Sequence, residues 1–206
     1  MIPGENKPLN EEQEKEMLER AEKAYNEFLT ALGYEWELDS NMAGTPKRVA
    51  KMYVKEIAKG SYLEAPQITS FDNVNKYDGI VFQGNVGVKS LCSHHMMPFF
   101  GKAYVAYIPV PEGKIIGLSK INRIVEWFAR RPQLQENLTT QIHDYIDDLS
   151  ELNKGVAVMI KAHHTCVSLR GIEDDSTMMT TKLSKAFLDN ENRARDEFYN
   201  YINNLK

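Results

Sequence analysis

The sequence predicts an α+β protein in which an antiparallel sheet carries helices on one side. Three observations predict it: an N-terminal stretch with helical periodicity, a β-rich block over residues 80–116, and an alternation of helix, strand and helix after that block. The first helix starts at Asn10, a capping residue, with Gln13 where a capping box places Glu or Gln. Met17, Leu18, Ala21, Tyr25, Phe28, Leu29 and Leu32 then recur at helical spacing up to Gly33. A second helix is expected from Thr45-Pro46, a capping residue followed by proline at the first helical position. It carries Val49, Met52, Tyr53 and Ile57 on one face and stops at Gly60. Beyond a turn-rich stretch around Pro66, residues 80–82, 102–108 and 114–116 are β-rich and bounded by Gly or Pro. Ser119 is expected to cap a helix bearing Ile121, Ile124, Val125 and Phe128 that ends before Pro132. Another is expected from Gln133 to Leu149, with Leu134, Leu138, Ile142, Tyr145 and Ile146 on its apolar face. A strand begins at Gly155 and is expected to continue, extended and paired, through Cys166 to Arg170; the tail from Asn190 to Leu205 reads as helix. With no repeat and no linker, the chain divides into an N-terminal helical region, 1–60, and one unit over 61–206.

Composition narrows the function classes. The chain has 206 residues, 42% hydrophobic and 26% charged, enough for one sizeable core or at most two small ones. Ten Tyr and eight Phe exclude disorder as the main state. No stretch approaches the roughly 18 consecutive apolar residues that a membrane span requires. The N-terminus lacks a basic segment followed by an apolar one, so a cytoplasmic protein without a membrane partner is expected. A net charge of −4 disfavours nucleic acid as a partner, while a small anionic ligand needs only a few well-placed Lys and Arg.

Cysteine and histidine are concentrated at two points. Of two cysteines and five histidines, Cys92 lies beside His94 and His95, and Cys166 beside His163 and His164. Without a secretion signal a structural disulfide is disfavoured. Zinc takes Cys sulfur and His nitrogen, and a catalytic site uses three protein ligands with a fourth position open to water. Paired Cys-x-x-Cys motifs, which mark many closed structural sites, are absent. The spacing therefore favours an open site over a closed one, the bland alternative being two buried cysteines acting as small hydrophobes. If 164–170 is extended, His164, Cys166, Ser168 and Arg170 share one face and His163 points away. His143, beside Asp144 in a helix, reads as a surface residue.

A second constellation is anionic in its preference. Ser119 at a helix start offers first-turn N–H groups to an anion, and Lys120 and Arg123 project from one side of that helix. With Arg170 they form a candidate polyphosphate cradle; basic residues on exposed helices are otherwise simply solvated. Glu136, next to Gln135, can accept two parallel hydrogen bonds of the kind that guanine N1–H and its 2-amino group offer and adenine does not.

Taken together, these strings resemble the signatures of the GTP cyclohydrolase I family. Cys92-Ser93-His94-His95 followed by residues 98–103 and 105–109 is similar to the first signature. Residues 116–123, 131–136 and 164–171 are similar to the others, and 45–53 to the family's N-terminal helix. The resemblance implies the tunnelling fold (T-fold), a helix-decorated antiparallel sheet that assembles into a toroidal homodecamer with active sites between subunits. It implies Zn2+ on Cys92, His95 and Cys166, and GTP as substrate. Ser119, Lys120, Arg123 and Arg170 would hold the triphosphate, Arg48 would reach it from another subunit, and Glu136 helped by Gln135 would read guanine. His164 and His94 are the implied catalytic groups for converting GTP and water to formate and 7,8-dihydroneopterin triphosphate, the first step of pterin and folate biosynthesis. The chain departs from the family at Ser93, where many members carry Glu, and at Met178-Met179, where smaller polar residues are expected. Two other classes are weighed against this reading. A non-catalytic zinc-stabilised oligomer would need none of the phosphate and guanine residues. A related T-fold enzyme acting on another pterin or a deazapurine would use a catalytic Cys without this triad.

Overall fold

The computed structural model describes residues 1–150, 152–189, 191 and 193–205. The N-terminal helix α1 spans Glu11–Ala31 and is capped as expected. Gln13 N donates to the Asn10 side chain and Gln13 Oε1 accepts from Asn10 N, which satisfies two of the donors a helix start leaves unpaired. α2 (Thr45–Lys51) starts one residue earlier than the sequence implied, with Gly44 as its N-cap, and runs on into a π-helical turn over Met52–Ile57.

The strands β1 (Ser70–Asp72), β2 (Val81–Cys92), β3 (Pro98–Pro109) and β4 (Lys114–Ile116) precede α3 (Leu118–Ala129). The short β5 (Pro132–Gln133) leads into α4 (Gln135–Leu149). Next come β6 (Asn153–His164), the one-turn helix α5 (Thr165–Ser168), β7 (Thr177–Leu183) and α6 (Ala194–Asn204). Asn190, where the tail helix is expected to begin, lies outside the described residues. The main sheet has the order β5-β2-β3-β6-β7, and β1 and β4 form a separate pair. All its pairings are antiparallel except the two-residue contact of β5 with β2, in which Cys92 lies opposite Gln133.

Strand alternation sorts side chains between two faces. On one face Val88, Phe99, Ala103, Val105, Tyr107, Val158 and Ile160 meet Ile121, Ile124 and Val125 of α3 and Leu138, Ile142 and Ile146 of α4. Fully burying each such aliphatic or aromatic side chain contributes about 1.5–3 kcal/mol, so this layer anchors the fold. The opposite face is covered in part by α6 and by the 3-10 turn Lys185–Phe187 before it, where Phe198 and Phe187 pack on Tyr104, Ala106 and Met159.

Two expectations are corrected here. Ser119 does not cap α3: Gly117 is the N-cap, no side chain caps that helix start, and Ser119 sits inside the first turn. His143 is not a surface residue. It is 3% exposed, because α4 lies flat on the sheet and turns that position inward; its Nδ1 lies 2.8 Å from Asp144 Oδ1, which Lys182 also reaches.

Candidate active site

The hairpin between β2 and β3 builds the first half of the site. Met96 N donates to the Cys92 carbonyl and Cys92 N to the Met97 carbonyl, each at 2.8 Å, so the five residues between the strands close into a tight turn. Ser93 N donates to the Gln133 carbonyl at 3.3 Å, which ties this turn to the segment entering α4.

The second half comes from the end of β6, and here the expected extended strand is corrected. Pairing with β3 stops at Phe99 opposite His164, and pairing with β7 stops at Thr177 opposite His163. Beyond that point no strand among the described residues pairs with the backbone, which closes on itself as the helical turn α5. Leu169 N donates to the Thr165 carbonyl at 3.0 Å, and the Thr165 hydroxyl donates to the Pro98 carbonyl at 2.6 Å. It is this turn, rather than strand alternation, that swings Cys166 toward the hairpin.

The ligand atoms of Cys92, His95 and Cys166 all lie within 4.8 Å of one another, a group that can hold a metal ion. Arg170 Nη1 lies 2.6 Å from His95 Nε2. Burial and the adjoining Cys92 thiol push the Cys166 thiol above its ordinary pKa, since two thiolates side by side repel. A cation between them would reverse that shift, and two soft sulfurs with one imidazole suit zinc better than a hard cation.

Cys92 and Cys166 line a cavity of about 300 Å³ that is also lined by His94, His164, Gln135 and Glu136. His164 stacks on the buried Phe99 ring, centroids 4.5 Å apart and planes 10° from parallel. Its Nε2 lies 2.8 Å from Gln135 Oε1. Burial lowers the pKa of His164, partly offset by the Glu136 carboxylate and reinforced by His163. His163 turns away to Ser168 Oγ, 2.8 Å from its Nε2. Gln135 is 1% exposed and its amide nitrogen is spent on Ile160, Met178 and Thr180, so the side chain expected to help read guanine is bound within the protein.

The remaining basic residues stand apart from this cavity within one chain. Ser119, Lys120 and Arg123 occupy the first half of α3, where Lys120 Nζ reaches the Gln67 carbonyl at 3.4 Å. Arg48 folds back on its own helix start, donating to the Asn41 carbonyl and Thr45 Oγ1. Sequence reasoning missed the parts that aim His164: Phe99 beneath the ring, and Thr180 behind Gln135. Alternation along β3 would have put Phe99 on the inner face, but nothing local marks the partner of a buried amide.

Three side chains that could hold a metal, beside a cavity lined by imidazole and carboxylate groups, form the kind of centre found in metalloenzymes. Residues 21–203 match the profile of the GTP cyclohydrolase I family. The chain is 42% identical over 196 residues to the GTP cyclohydrolase 1 of Flavobacterium johnsoniae, covering 92% of this chain and 83% of that protein. It is 44% identical over 192 residues to the one from Sulfurihydrogenibium sp., covering 91% and 96%, and 43% identical over 191 residues to that of Aeromonas salmonicida, covering 92% and 84%. The chain belongs to the GTP cyclohydrolase I family, and its helix-backed antiparallel sheet is the family's tunnelling fold. No helix among the described residues is long and apolar enough to cross a membrane.

Proposed function

We propose that this protein is a zinc-dependent enzyme that opens the imidazole ring of GTP, releasing formate and yielding 7,8-dihydroneopterin triphosphate. The observation that carries the reading is the convergence of Cys92, His95 and Cys166 within 4.8 Å beside His164 and Glu136. Zinc held by those three side chains would supply Lewis acidity, lowering the pKa of a coordinated water toward about 7.

The chain's own residues do the rest. The Glu136 carboxylate accepts from guanine N1–H and the 2-amino group, which selects guanine over adenine because a site built to pair polar groups rejects a ligand lacking them. His164 exchanges a proton at purine N7, and His94 moves protons on the opposite side of the centre; imidazole suits both tasks because its pKa lies near neutrality. Ser119, Lys120, Arg123 and Arg170 neutralise the triphosphate, and Arg48 reaches it from another subunit. Two features support a homo-oligomer, with a decamer implied by the family. The α3 cations lie outside the cavity of their own chain, so a neighbour's α3 would complete it. Phe71, Leu118, Leu169, Ile172 and Met179 are also exposed, as contact surfaces are. A cytoplasmic location accords with this substrate.

The test is incubation of metal-analysed protein with GTP, with formate and a fluorescent oxidised pterin as readouts. Cys166→Ala is expected to lose metal and formate together. His164→Ala is expected to keep its metal and release no formate; full activity in that variant would overturn the assignment.

A further inference from the structure

The hydrogen bonds around Gln135 fix which nitrogen of His164 carries the hydrogen. Gln135 Nε2 donates to the carbonyl oxygens of Ile160 at 3.1 Å and Met178 at 3.2 Å, with Thr180 Oγ1 also at 3.1 Å. Carbonyls only accept, so the nitrogen end of the amide must face them and the orientation of the group is fixed. Thr139 Oγ1, 2.6 Å from Thr180 Oγ1 and donating to the Gln135 carbonyl at 2.9 Å, braces the same cluster. The oxygen end therefore points at His164 Nε2, 2.8 Å away, and accepts from it. That ring nitrogen carries the hydrogen, and in the neutral ring Nδ1 carries the lone pair.

Phe99 blocks the alternative. The flip that keeps the two rings stacked is a half-turn about the His164 Cβ–Cγ bond, and that would set a carbon against Gln135 Oε1. The buried amide would then lose its partner, a penalty of about 1–3 kcal/mol.

We propose that Gln135 is a positioning residue: it holds His164 as the Nε2–H tautomer and commits Nδ1 to the purine, rather than contacting guanine with its own side chain. The proposal rests on the reading of the site as a GTP-opening centre. It assigns the proton exchange to one atom. His164 takes up a proton from solvent at Nδ1; when it delivers that proton, the Nδ1–H bond breaks, N7–H forms, and the ring returns to the neutral Nε2–H form that Gln135 already holds.

The test uses the metal-loaded oligomer and Gln135→Met, which keeps the length of the side chain and removes both amide groups. Metal content should be unchanged and the KM for GTP should shift by less than about threefold, while kcat falls on the order of 100-fold, the scale of a misdirected general acid–base group. A side chain that merely filled space would not move the second readout, the ¹⁵N spectrum of ring-labelled histidine in sedimented protein without GTP, assigned by difference against His164→Ala. The wild type should show His164 with a protonated Nε2 and a bare Nδ1, and Gln135→Met a mixture of tautomers. Wild-type kcat in the variant, or a wild-type ring protonated at Nδ1 instead, would overturn the proposal. If Gln135→Met does not assemble, the wild-type spectrum alone decides. If the wild type releases no formate from GTP, the activity reading fails while the spectrum still judges the tautomer.

Discussion

Arg131 holds the N-terminal arm against the segment that feeds the site, and its removal tests that packing. The side chain is 3% exposed, with Nε donating to the Gly60 carbonyl and Nη1 to the Gly4 carbonyl, both at 3.0 Å. Its guanidinium carbon lies 3.9 Å from the centre of the Trp127 ring. Burial lowers its pKa to about 10, still well above neutrality, so the group is a cation at working pH. Arg131→Met loses two charge-assisted hydrogen bonds, about 1.5–3 kcal/mol each, and a buried cation–π contact of about 2 kcal/mol. Two effects reduce the loss. Gly60 keeps the Asn6 amide at 2.8 Å and Gly4 keeps Gln141 at 3.3 Å, so neither carbonyl is left bare. The buried charge also vanishes, and its desolvation had cost several kcal/mol. The net expectation is a destabilisation of about 2–3 kcal/mol. Urea unfolding at fixed chain and metal concentration would measure it, and limited proteolysis should show residues 1–9 cleaved sooner. A change below about 0.5 kcal/mol with the arm still protected would refute the reasoning, because only complete cancellation by the relieved desolvation gives that result.

Two further outcomes follow from the geometry. A methyl group at Gly101 would collide with the Lys161 carbonyl oxygen and sit 2.6 Å from Ala162 Cα, forcing β3 and β6 apart where no flexible side chain can yield. Gly101→Ala should therefore cost about 3 kcal/mol or more by urea unfolding and loosen the Phe99–His164 stack, with kcat falling alongside; wild-type stability and kcat would contradict the register. Asp144 and Asp147 both have lowered pKa values: burial opposes this, but contacts with Lys182 and His143 at the first, and with Lys185 and Asn153 at the second, outweigh it. A carboxylate lowered on folding stabilises fully above its unfolded pKa, near 4, and loses that contribution as pH falls through the lower folded value. Asp144→Asn and Asp147→Asn should flatten the acid limb of stability below about pH 4 and leave the slope between pH 6 and 8 unchanged; an unaltered acid limb would refute both pairings.

What was legible in the chain, and what was not, divides along physical lines. Asn10 and Gln13 mark a helix start because a capping box is local, and the observed bonds are the expected ones. The ligand types and their clustering were equally plain. Most of β2 was not, since Gly84, Asn85 and Gly87 interrupt its alternation; the structure has a bulge there, with Asn85 at φ 57° and a register shift between Gln83 and Val86. Thr165-Cys166-Val167 reads as strand from its β-branched residues, yet the sheet offers no partner past His164, and pairing rather than propensity decides. His143 read as exposed because it stands beside Asp144, whereas the helix face it occupies, with Ile142 and Ile146, is the one pressed on the sheet. The bonds that hold Gln135 were not legible either, because its partners Ile160, Met178 and Thr180 are distant in sequence.

X-ray absorption at the zinc edge of the metal-loaded protein would read the proposed Cys92, His95 and Cys166 coordination itself. Two sulfur scatterers at about 2.3 Å and two lighter ones at about 2.0–2.1 Å, a single imidazole among them, are expected for two cysteines, one histidine and an exchangeable solvent molecule. A third sulfur, a second imidazole, or protein that takes up no zinc would contradict it.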